Sequence, residues 1–265
     1  MNSPHQTSVP VIEQTSAGSG LRWWSDSFSW LFGELARLGV WVGMLLCCLL
    51  ILTPLHWVPL LGWSASHLLW FVFSGGLMVA ARNTQMGQVP RFGELFAGFG
   101  PQSGALLGAG LLVLAATLAV VGLMLAVGLG ALLGSLAGAA SLESVAQRTA
   151  TLMSIGWGAA LVMLLCLVLF VPISMAAWLA PALIMLRGAR PFDALRWSLQ
   201  ACGRNLGALT VYGLVGIGLA LVATLMFFIG WLVLLPLVFL STYAAYRQMF
   251  AADDVLDPEP GRPAP

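Results

Sequence analysis

Four arginines within a short stretch are the groups of this chain best suited to bind a ligand. Arg187, Arg190, Arg196 and Arg204 lie in the segment 187–206, RGARPFDALRWSLQACGRNL, which has long apolar runs on both sides. A guanidinium stays charged at neutral pH and binds phosphate or carboxylate through two parallel hydrogen bonds. The cluster therefore suits anionic lipid headgroups or an acidic segment of a partner protein. The alternative is that these arginines only anchor the chain on the cytoplasmic side of a membrane.

The element that carries this cluster is predicted to be a short amphipathic helix on a membrane surface. Pro191 suits the first turn of a helix, where its missing N–H costs nothing. Apolar residues then recur at three- and four-residue steps, with polar residues on the other side. The apolar set is Phe192, Leu195, Leu199 and Cys202, and the polar set is Asp193, Arg196, Gln200 and Arg204. We expect the apolar set to face the membrane and the arginines to face the cytoplasm.

Polar residues elsewhere give little support for catalysis or transport. No Asp, Glu, Lys or Arg lies within the apolar part of a predicted span, and His67 has hydroxyl neighbours that suit simple hydrogen bonding. Hydroxyl groups such as those of Tyr212, Ser241 and Tyr243 more often join helices than line a solute path. The sequence contains no protease, esterase or nucleotide-binding motif, and its cysteines lack metal-ligand spacing. We therefore expect no enzymatic activity, no metal and no cofactor.

Composition indicates a polytopic helical membrane protein. Apolar residues make up 60% of the chain and charged residues 8%, against about 25% charged residues in ordinary soluble domains. Runs of about 20 apolar residues can each cross a membrane as a helix. They predict an all-α bundle with spans near 38–57, 62–81, 105–126, 156–178, 206–228 and 230–249. This transmembrane domain, 22–250, lies between segments predicted to be disordered, 1–21 and 251–265.

Two of the apolar runs are longer than one span needs. Residues 105–141 and 155–186 each hold either one span with an extension or a span with a re-entrant segment. For the first run we expect a small-residue extension at the outer surface. For the second, Pro172 and Pro181 predict a kinked span followed by a separate turn beside the membrane.

The distribution of arginine predicts the orientation of these spans. Arg148 alone falls on the outer side when both termini are placed in the cytoplasm of a bacterial inner membrane. The other ten of the eleven basic residues fall inside, as expected from the positive-inside rule. They are Arg22, Arg37, Arg82, Arg91, Arg187, Arg190, Arg196, Arg204, Arg247 and Arg262. The pair Trp23 and Trp24, beside Arg22, is expected at headgroup level.

Recurring motifs predict three parallel repeats. Phe-Gly-Glu-Leu occurs at 32–35 and 92–95, and Phe-Asp-Ala-Leu holds the corresponding place at 192–195. Gly-Trp pairs at 62–63, 156–157 and 230–231 open the returning spans. Each repeat would comprise a short cytoplasmic interfacial helix, a span out, a turn and a span back.

A glycine ladder provides a second candidate contact surface. Gly130, Gly134 and Gly138 have four-residue spacing, which places them on one side of a helix and permits close approach of a neighbour. The ladder is either an internal packing face or the interface of a homo-oligomer or of a complex with another membrane protein.

Several segments resemble known membrane proteins. They are Ala180-Pro181-Ala182-Leu183, the stretch 191–205, Tyr243-Ala244-Ala245-Tyr246 and the stretch 76–99. The chain resembles uncharacterised proteobacterial six-span inner-membrane proteins. It is more distantly similar to YciC-like proteins and to the membrane domain attached to some glycerophosphodiester phosphodiesterases. The resemblance implies a helical bundle in the inner membrane and no activity, since nothing in this chain corresponds to the phosphodiesterase domain.

These features predict that the protein functions by contacting lipids or other proteins and not by catalysis. We expect an integral inner-membrane protein that contacts membrane lipids or partner proteins through its cytoplasmic surface helices, and no nucleic acid. The alternative is a transporter or channel for a small or amphipathic solute. That alternative predicts a polar cavity in mid-membrane that reaches Tyr212, Ser241 or Tyr243.

Overall fold

The protein is all-α. A computed structural model describes residues 10–59, 61–139, 145–226 and 229–251, and these residues contain helices and no strand. Two short 3₁₀ helices, Thr53–Trp57 and Phe92–Phe99, lie between α-helices. The α-helices are α1 (Ser19–Phe32), α2 (Leu35–Leu52), α3 (Leu61–Gln85), α4 (Ser103–Ala139), α5 (Val145–Arg187), α6 (Pro191–Arg204), α7 (Leu206–Leu225) and α8 (Ile229–Met249).

Six helices in the described part of the chain are long and apolar enough to cross a membrane. They are α2, extended by the first 3₁₀ helix, and α3, α4, α5, α7 and α8. Their positions match the six predicted spans, because a helix is the structure that satisfies backbone polar groups within a single segment in lipid. The prediction of an all-α, six-span membrane protein is therefore confirmed.

The chain divides into two compact units, Met1–Leu111 with Met175–Pro265, and Leu112–Ser174. The core of the first unit contains large side chains that are almost wholly buried, among them Trp23, Trp41, Leu77, Tyr243 and Tyr246. One polar pair in this core is formed by the indole N–H of Trp41, which donates to Thr84 Oγ1 at 3.0 Å. Such pairing removes the cost of burying a polar group away from water.

The second unit presents apolar side chains outward. In α5, for example, Met163 is 72% exposed and Leu167 is 62% exposed, and Leu125 of α4 is 64% exposed. Exposed leucine and methionine along a helix suit contact with lipid acyl chains, which are as apolar as these side chains.

The two long apolar runs form continuous helices, so part of our prediction is wrong. Helix α4 has 37 residues and α5 has 43, which correspond to about 55 Å and about 65 Å of helix. Helix α5 passes through Pro172 and Pro181 and ends only at Arg187, so the predicted separate turn does not form. Helices in membranes tolerate proline when neighbouring groups satisfy the freed backbone atoms. Arg148 lies in the first turn of α5 instead of in a loop.

The N-terminal region contacts the bundle from well before residue 21, which differs from our prediction of disorder over 1–21. Helix α1 begins at Ser19, and the backbone N–H of Glu13 donates to the carbonyl of Met249 at 2.8 Å. Trp23 and Trp24 are only 1% and 3% exposed. These rings pack within the protein, because α1 lies against α7 and α8; their depth relative to a membrane stays a prediction. Residues 1–9 and 252–265, the latter including Arg262, lie outside the described residues.

The order of helices repeats three times along the chain, but the recurring sequence motifs occupy different structural positions from one group of helices to the next. A short helix followed by two spans occurs as α1–α3, as the second 3₁₀ helix with α4 and α5, and as α6–α8. Phe-Gly-Glu-Leu ends α1 in its first copy but begins the 3₁₀ helix in its second. Gly156-Trp157 lies well inside α5, not at its start. The threefold repeat remains a prediction.

Candidate functional site

Helix α6 buries a face made mainly of small residues. Ala194, Trp197, Ser198, Ala201 and Cys202 are buried against the first unit. Small side chains allow the helix backbone to approach closely, and the ring of Trp197 fills the remaining space. This buried face differs from the apolar set predicted from the sequence, of which only Cys202 is buried.

Two residues of the predicted apolar set, which was expected to face the membrane, are exposed in the structure. Phe192 is 68% exposed and Leu199 is 38% exposed, and both lie close to the direction of Arg196 on the helix. At about 100° per residue, Phe192 and Leu199 form one flank of the exposed face, and Gln200 and Arg204 form the other. A helix packed against protein buries small residues, which leaves these two large apolar residues exposed; that they face the membrane stays a prediction.

Three of the four predicted site arginines are exposed at α6. Arg190 precedes the helix as its N-cap residue, Arg196 lies in its middle and Arg204 in its last turn. Arg204 Nη1 lies 3.5 Å from the carbonyl oxygen of Ile12, and its side chain remains exposed. The structure therefore exposes three guanidinium groups along α6, with Arg204 on the opposite flank from Phe192 and Leu199. We call Arg190, Phe192, Arg196, Leu199 and Arg204 the α6 surface.

Arg187 belongs to the fold and not to the α6 surface. Its Nε donates to the hydroxyl of Tyr246 at 3.1 Å, and its Nη2 donates to the carbonyl of Phe250 at 2.6 Å. The guanidinium also lies over both aromatic rings, within 6 Å of each centroid (5.9 Å and 5.8 Å). Arg187 thereby joins the end of α5 to the end of α8, so it is occupied by intramolecular contacts.

Asn205 attaches the N-terminal segment beside the α6 surface. Its Oδ1 accepts hydrogen bonds from the backbone N–H and the hydroxyl of Thr15, at 2.6 and 2.9 Å. Its Nδ2 donates to the carbonyls of Glu13 and Ala201, at 3.0 and 2.9 Å. An asparagine with all its hydrogen-bonding groups used is a rigid connection. Sequence reasoning missed it, because a single polar residue between two helices carries no distinctive pattern.

The hydroxyl groups that a solute path would need contact one another. Tyr212 Oη lies 3.0 Å from Ser241 Oγ, and the Trp178 indole donates to Thr242 Oγ1 at 3.0 Å. The ring of Tyr212 stacks on that of Trp24 at 4.9 Å and lies 5.4 Å from that of Trp178. These side chains join α1, α5, α7 and α8 as a packed aromatic cluster, as predicted for helix-bridging hydroxyls.

The glycine ladder lies on α4 with open space beside it. A Cβ atom added at Gly130 or Gly134 would meet nothing within 4 Å. The side-chain surroundings of residue 138 lie outside the described residues. The structure leaves room for a neighbouring helix at these two positions, and a homo-oligomer or heteromeric contact remains a prediction.

Cysteine and histidine form no recognisable reactive centre in the described part of the chain. Groups of three or more potential metal ligands are absent from those residues. Burial raises the pKa of the Cys202 thiol to about 12, and a hydrogen bond with Ser198 acts in the opposite direction. A thiol with such a pKa is protonated at neutral pH, so it is a poor nucleophile and a poor metal ligand.

Comparison with known proteins supports membrane location without showing a family. A protein of Burkholderia thailandensis whose name is "probable inner membrane protein" is 36% identical to this chain over 112 residues. The match covers 36% of this chain and 40% of the relative, so the chain spans about two fifths of the relative's length. No family model and no solved structure matches. The likeness to YciC-like proteins and to the phosphodiesterase-associated domain stays a prediction.

Proposed function

We propose that this chain is a non-enzymatic protein of the bacterial inner membrane that holds anionic lipid on the α6 surface. The observation that carries the proposal is the exposure of Arg190, Arg196 and Arg204 on the helix that also exposes Phe192 and Leu199. Apolar side chains enter the acyl boundary, and guanidinium groups remain beside the headgroup phosphates. Each such arginine contributes about 1 kcal/mol to the attraction by an anionic membrane.

The name of the relative and the arginine distribution support the location and orientation in this proposal. Within the first unit, arginines lie near the start of α2 and near the ends of α3, α5, α6 and α8. The positive-inside rule then places these ends and both termini in the cytoplasm. The cytoplasmic leaflet carries the negative surface potential that the α6 surface requires.

The proposal is tested by measuring lipid selectivity with the full chain in bilayers. Spin-labelled phosphatidylglycerol and phosphatidylcholine report the relative association constants of the two lipids at the protein surface. We expect wild-type protein to favour phosphatidylglycerol. The triple variant Arg190→Gln, Arg196→Gln, Arg204→Gln should lose that preference. Each arginine removed should lower the relative association constant of phosphatidylglycerol by about fivefold.

A triple lysine variant at the same positions is the matched control, because it keeps the charge. It should retain the preference for phosphatidylglycerol, and added salt should weaken the preference in both proteins. Unchanged selectivity in the glutamine variant would reject the α6 surface as a lipid site. Orientation is checked separately with Gln200→Cys, which should react with a membrane-impermeant maleimide from the cytoplasmic side.

A further inference from the structure

A second charged site lies between α1 and α8, away from α6. Its cavity has a volume of about 270 Å³ and is lined by three charged side chains, Arg22 and Asp26 of α1 and Arg247 of α8. Trp23, Trp30 and Gln248 form much of the remaining wall. Arg22 and Asp26 are one helical turn apart, so they project from the same side of α1. None of these residues belongs to the α6 surface.

The wall of this cavity is held in place by hydrogen bonds. The Trp23 indole donates to Gln248 Oε1 at 2.6 Å, and Gln248 Nε2 donates to Ser19 Oγ at 3.3 Å. Arg22 Nη2 also donates to Ser19 Oγ, at 2.7 Å. These contacts join one turn of α1 to the last turns of α8. The guanidinium of Arg22 is therefore already positioned before a ligand enters, which lowers the entropic cost of binding.

Helix α1 is itself fixed against α7. The Trp24 indole donates to the carbonyl of Tyr212 at 3.0 Å. Gly20 lies directly against the backbone of Ala208 and Tyr212, where a Cβ atom would overlap with main-chain atoms. These contacts fix α1 against α7, and the bond between Trp23 and Gln248 joins α1 to α8, so packed helices and not loops form the cavity walls.

The charged side chains that line the cavity indicate which net charge its ligand should carry. Two guanidinium groups and one carboxylate sum to a formal charge of +1. A ligand with one negative charge would neutralise that sum, as a phosphodiester does. Guanidinium groups also match the geometry of phosphate oxygens.

Asp26 adds a second requirement. Burial raises the pKa of its carboxyl group, while the positive charges of Arg22 and then Arg247 lower it. An ionised carboxylate only accepts hydrogen bonds. A phosphodiester in the cavity would be repelled by Asp26 unless a donor group lay between the two negative charges. A hydroxyl group on the ester arm supplies this donor without adding charge.

We propose that this cavity binds a monoanionic phosphodiester whose ester arm carries a hydroxyl group. Arg22 and Arg247 hold the phosphate, Asp26 accepts the hydroxyl hydrogen bond, and Trp23 and Trp30 close the sides. Two sources supply this chemistry: the headgroup of a lipid such as phosphatidylglycerol, or a soluble phosphodiester. The site goes beyond the proposed role of the α6 surface, since it uses different residues and discriminates between headgroups.

The test uses the full chain in phosphatidylcholine nanodiscs with two sources of phosphodiester. In the lipid arm, phosphatidylglycerol is included and the number retained per protein is counted by native mass spectrometry. In the soluble arm, bis(2-hydroxyethyl) phosphate is titrated calorimetrically. We expect one phosphodiester per protein in addition to any lipid held by the α6 surface. Saturation in the lipid arm alone assigns the site to a lipid headgroup, and saturation in the soluble arm assigns it to a free ligand.

Variants decide whether the cavity is responsible. Arg22→Gln with Arg247→Gln should weaken binding by about tenfold for each arginine, through the lost charge-assisted hydrogen bonds. Ala244→Leu, which fills the cavity without changing charge, should also abolish binding. Thermal unfolding of each variant shows whether lost binding reflects the cavity or loss of the fold. Asp26→Asn should keep binding of dimethyl phosphate while removing the advantage of the hydroxylated diester.

Arg91→Gln, an exposed arginine outside the cavity, is the matched control and should bind as wild type. The α6 triple glutamine variant should also retain this binding, which separates failure here from failure of the α6 surface. Absence of binding in both arms would overturn the proposal. Binding that survives Ala244→Leu would also overturn the proposal. The same holds for binding that is lost in the α6 triple variant.

Discussion

The hydroxyl of Ser198 in α6 donates a hydrogen bond to the backbone carbonyl of Met175 in α5, at 2.6 Å. The same oxygen accepts the backbone N–H of Leu179 at 3.1 Å. In a regular α-helix the Leu179 N–H would bond directly to the Met175 carbonyl. A side chain of α6 therefore occupies one position in the hydrogen-bond ladder of α5, between Pro172 and Pro181. This contact fixes α6 on the bundle and determines which of its residues stay exposed.

Replacement of Ser198 should weaken the attachment of α6. We expect Ser198→Ala to lower the free energy of unfolding by about 1 kcal/mol, because one buried hydrogen-bonding group is lost. Ser198→Val should cost more, since it loses the same hydrogen bonds and also adds volume at a fully buried position. Thermal unfolding in detergent measures both variants. Gln200→Ala, on the exposed side of the same helix, should have no effect, and an equal effect of Gln200→Ala and Ser198→Ala would contradict the assignment.

Arg187 should behave as a stabilising residue and not as a lipid contact. Arg187→Gln is expected to lower the free energy of unfolding by about 1.5–3 kcal/mol, because it removes hydrogen bonds from a charged donor. A double-mutant cycle with Tyr246→Phe isolates the bond between Nε and the tyrosine hydroxyl and should give a coupling of about 1 kcal/mol. Selectivity for phosphatidylglycerol should be unchanged in Arg187→Gln. A loss of selectivity with no loss of stability would return Arg187 to the lipid site.

Gly20 permits the close approach of α1 and α7. A Cβ at this position would overlap with the carbonyl of Ala208 and the backbone nitrogen of Tyr212. We expect Gly20→Ala to destabilise the fold by about 1–3 kcal/mol, the usual cost of overpacking. Gly18→Ala is the matched control, because nothing lies within 4 Å of its Cβ position. Equal melting temperatures for the two variants would show that α1 does not pack on α7 as described.

Cys202 should be inert while the protein is folded. In a chain whose other three cysteines are replaced by alanine, we expect slow reaction with maleimide at neutral pH and rapid reaction after denaturation in SDS. The reason is that burial shields the thiol and raises its pKa to about 12. Gln200→Cys in a cysteine-free chain is the exposed control and should react quickly. Rapid labelling of both positions in folded protein would place Cys202 at the surface.

The same raised pKa predicts how stability depends on pH. An unfolded cysteine has a pKa of about 8.5, and the folded value is higher. Below about pH 8.5 both states keep the proton, so the contribution of Cys202 to stability is fully present. Above that pH the unfolded chain releases its proton while the folded chain retains it, so stability falls. Cys202→Ala should show a smaller fall than wild type between pH 8.5 and 10.

The number and position of the spans could be predicted from sequence, but the role of each arginine could not. Arg187 and Arg190 are three residues apart and look alike in the sequence. Arg187 meets Tyr246 and Phe250, residues that lie 59 and 63 positions further along the chain. Arg190, at the start of α6, remains exposed. Partners so distant in sequence leave no local pattern, so only folding separates the structural arginine from the candidate lipid contacts.

The amino-acid sequence by itself determined that this is a helical membrane protein with six spans and arginines at alternate helix ends. Hydropathy and charge suffice for this, because the cost of exposing polar groups to lipid depends on residue type and segment length. Only the tertiary structure decided that α6 buries Ser198 and Cys202 and leaves Phe192 and Leu199 outside, and that charged residues of α1 and α8 line one open cavity. Those outcomes depend on which helices pack together, and packing between helices depends on shape and hydrogen bonding across long sequence separations.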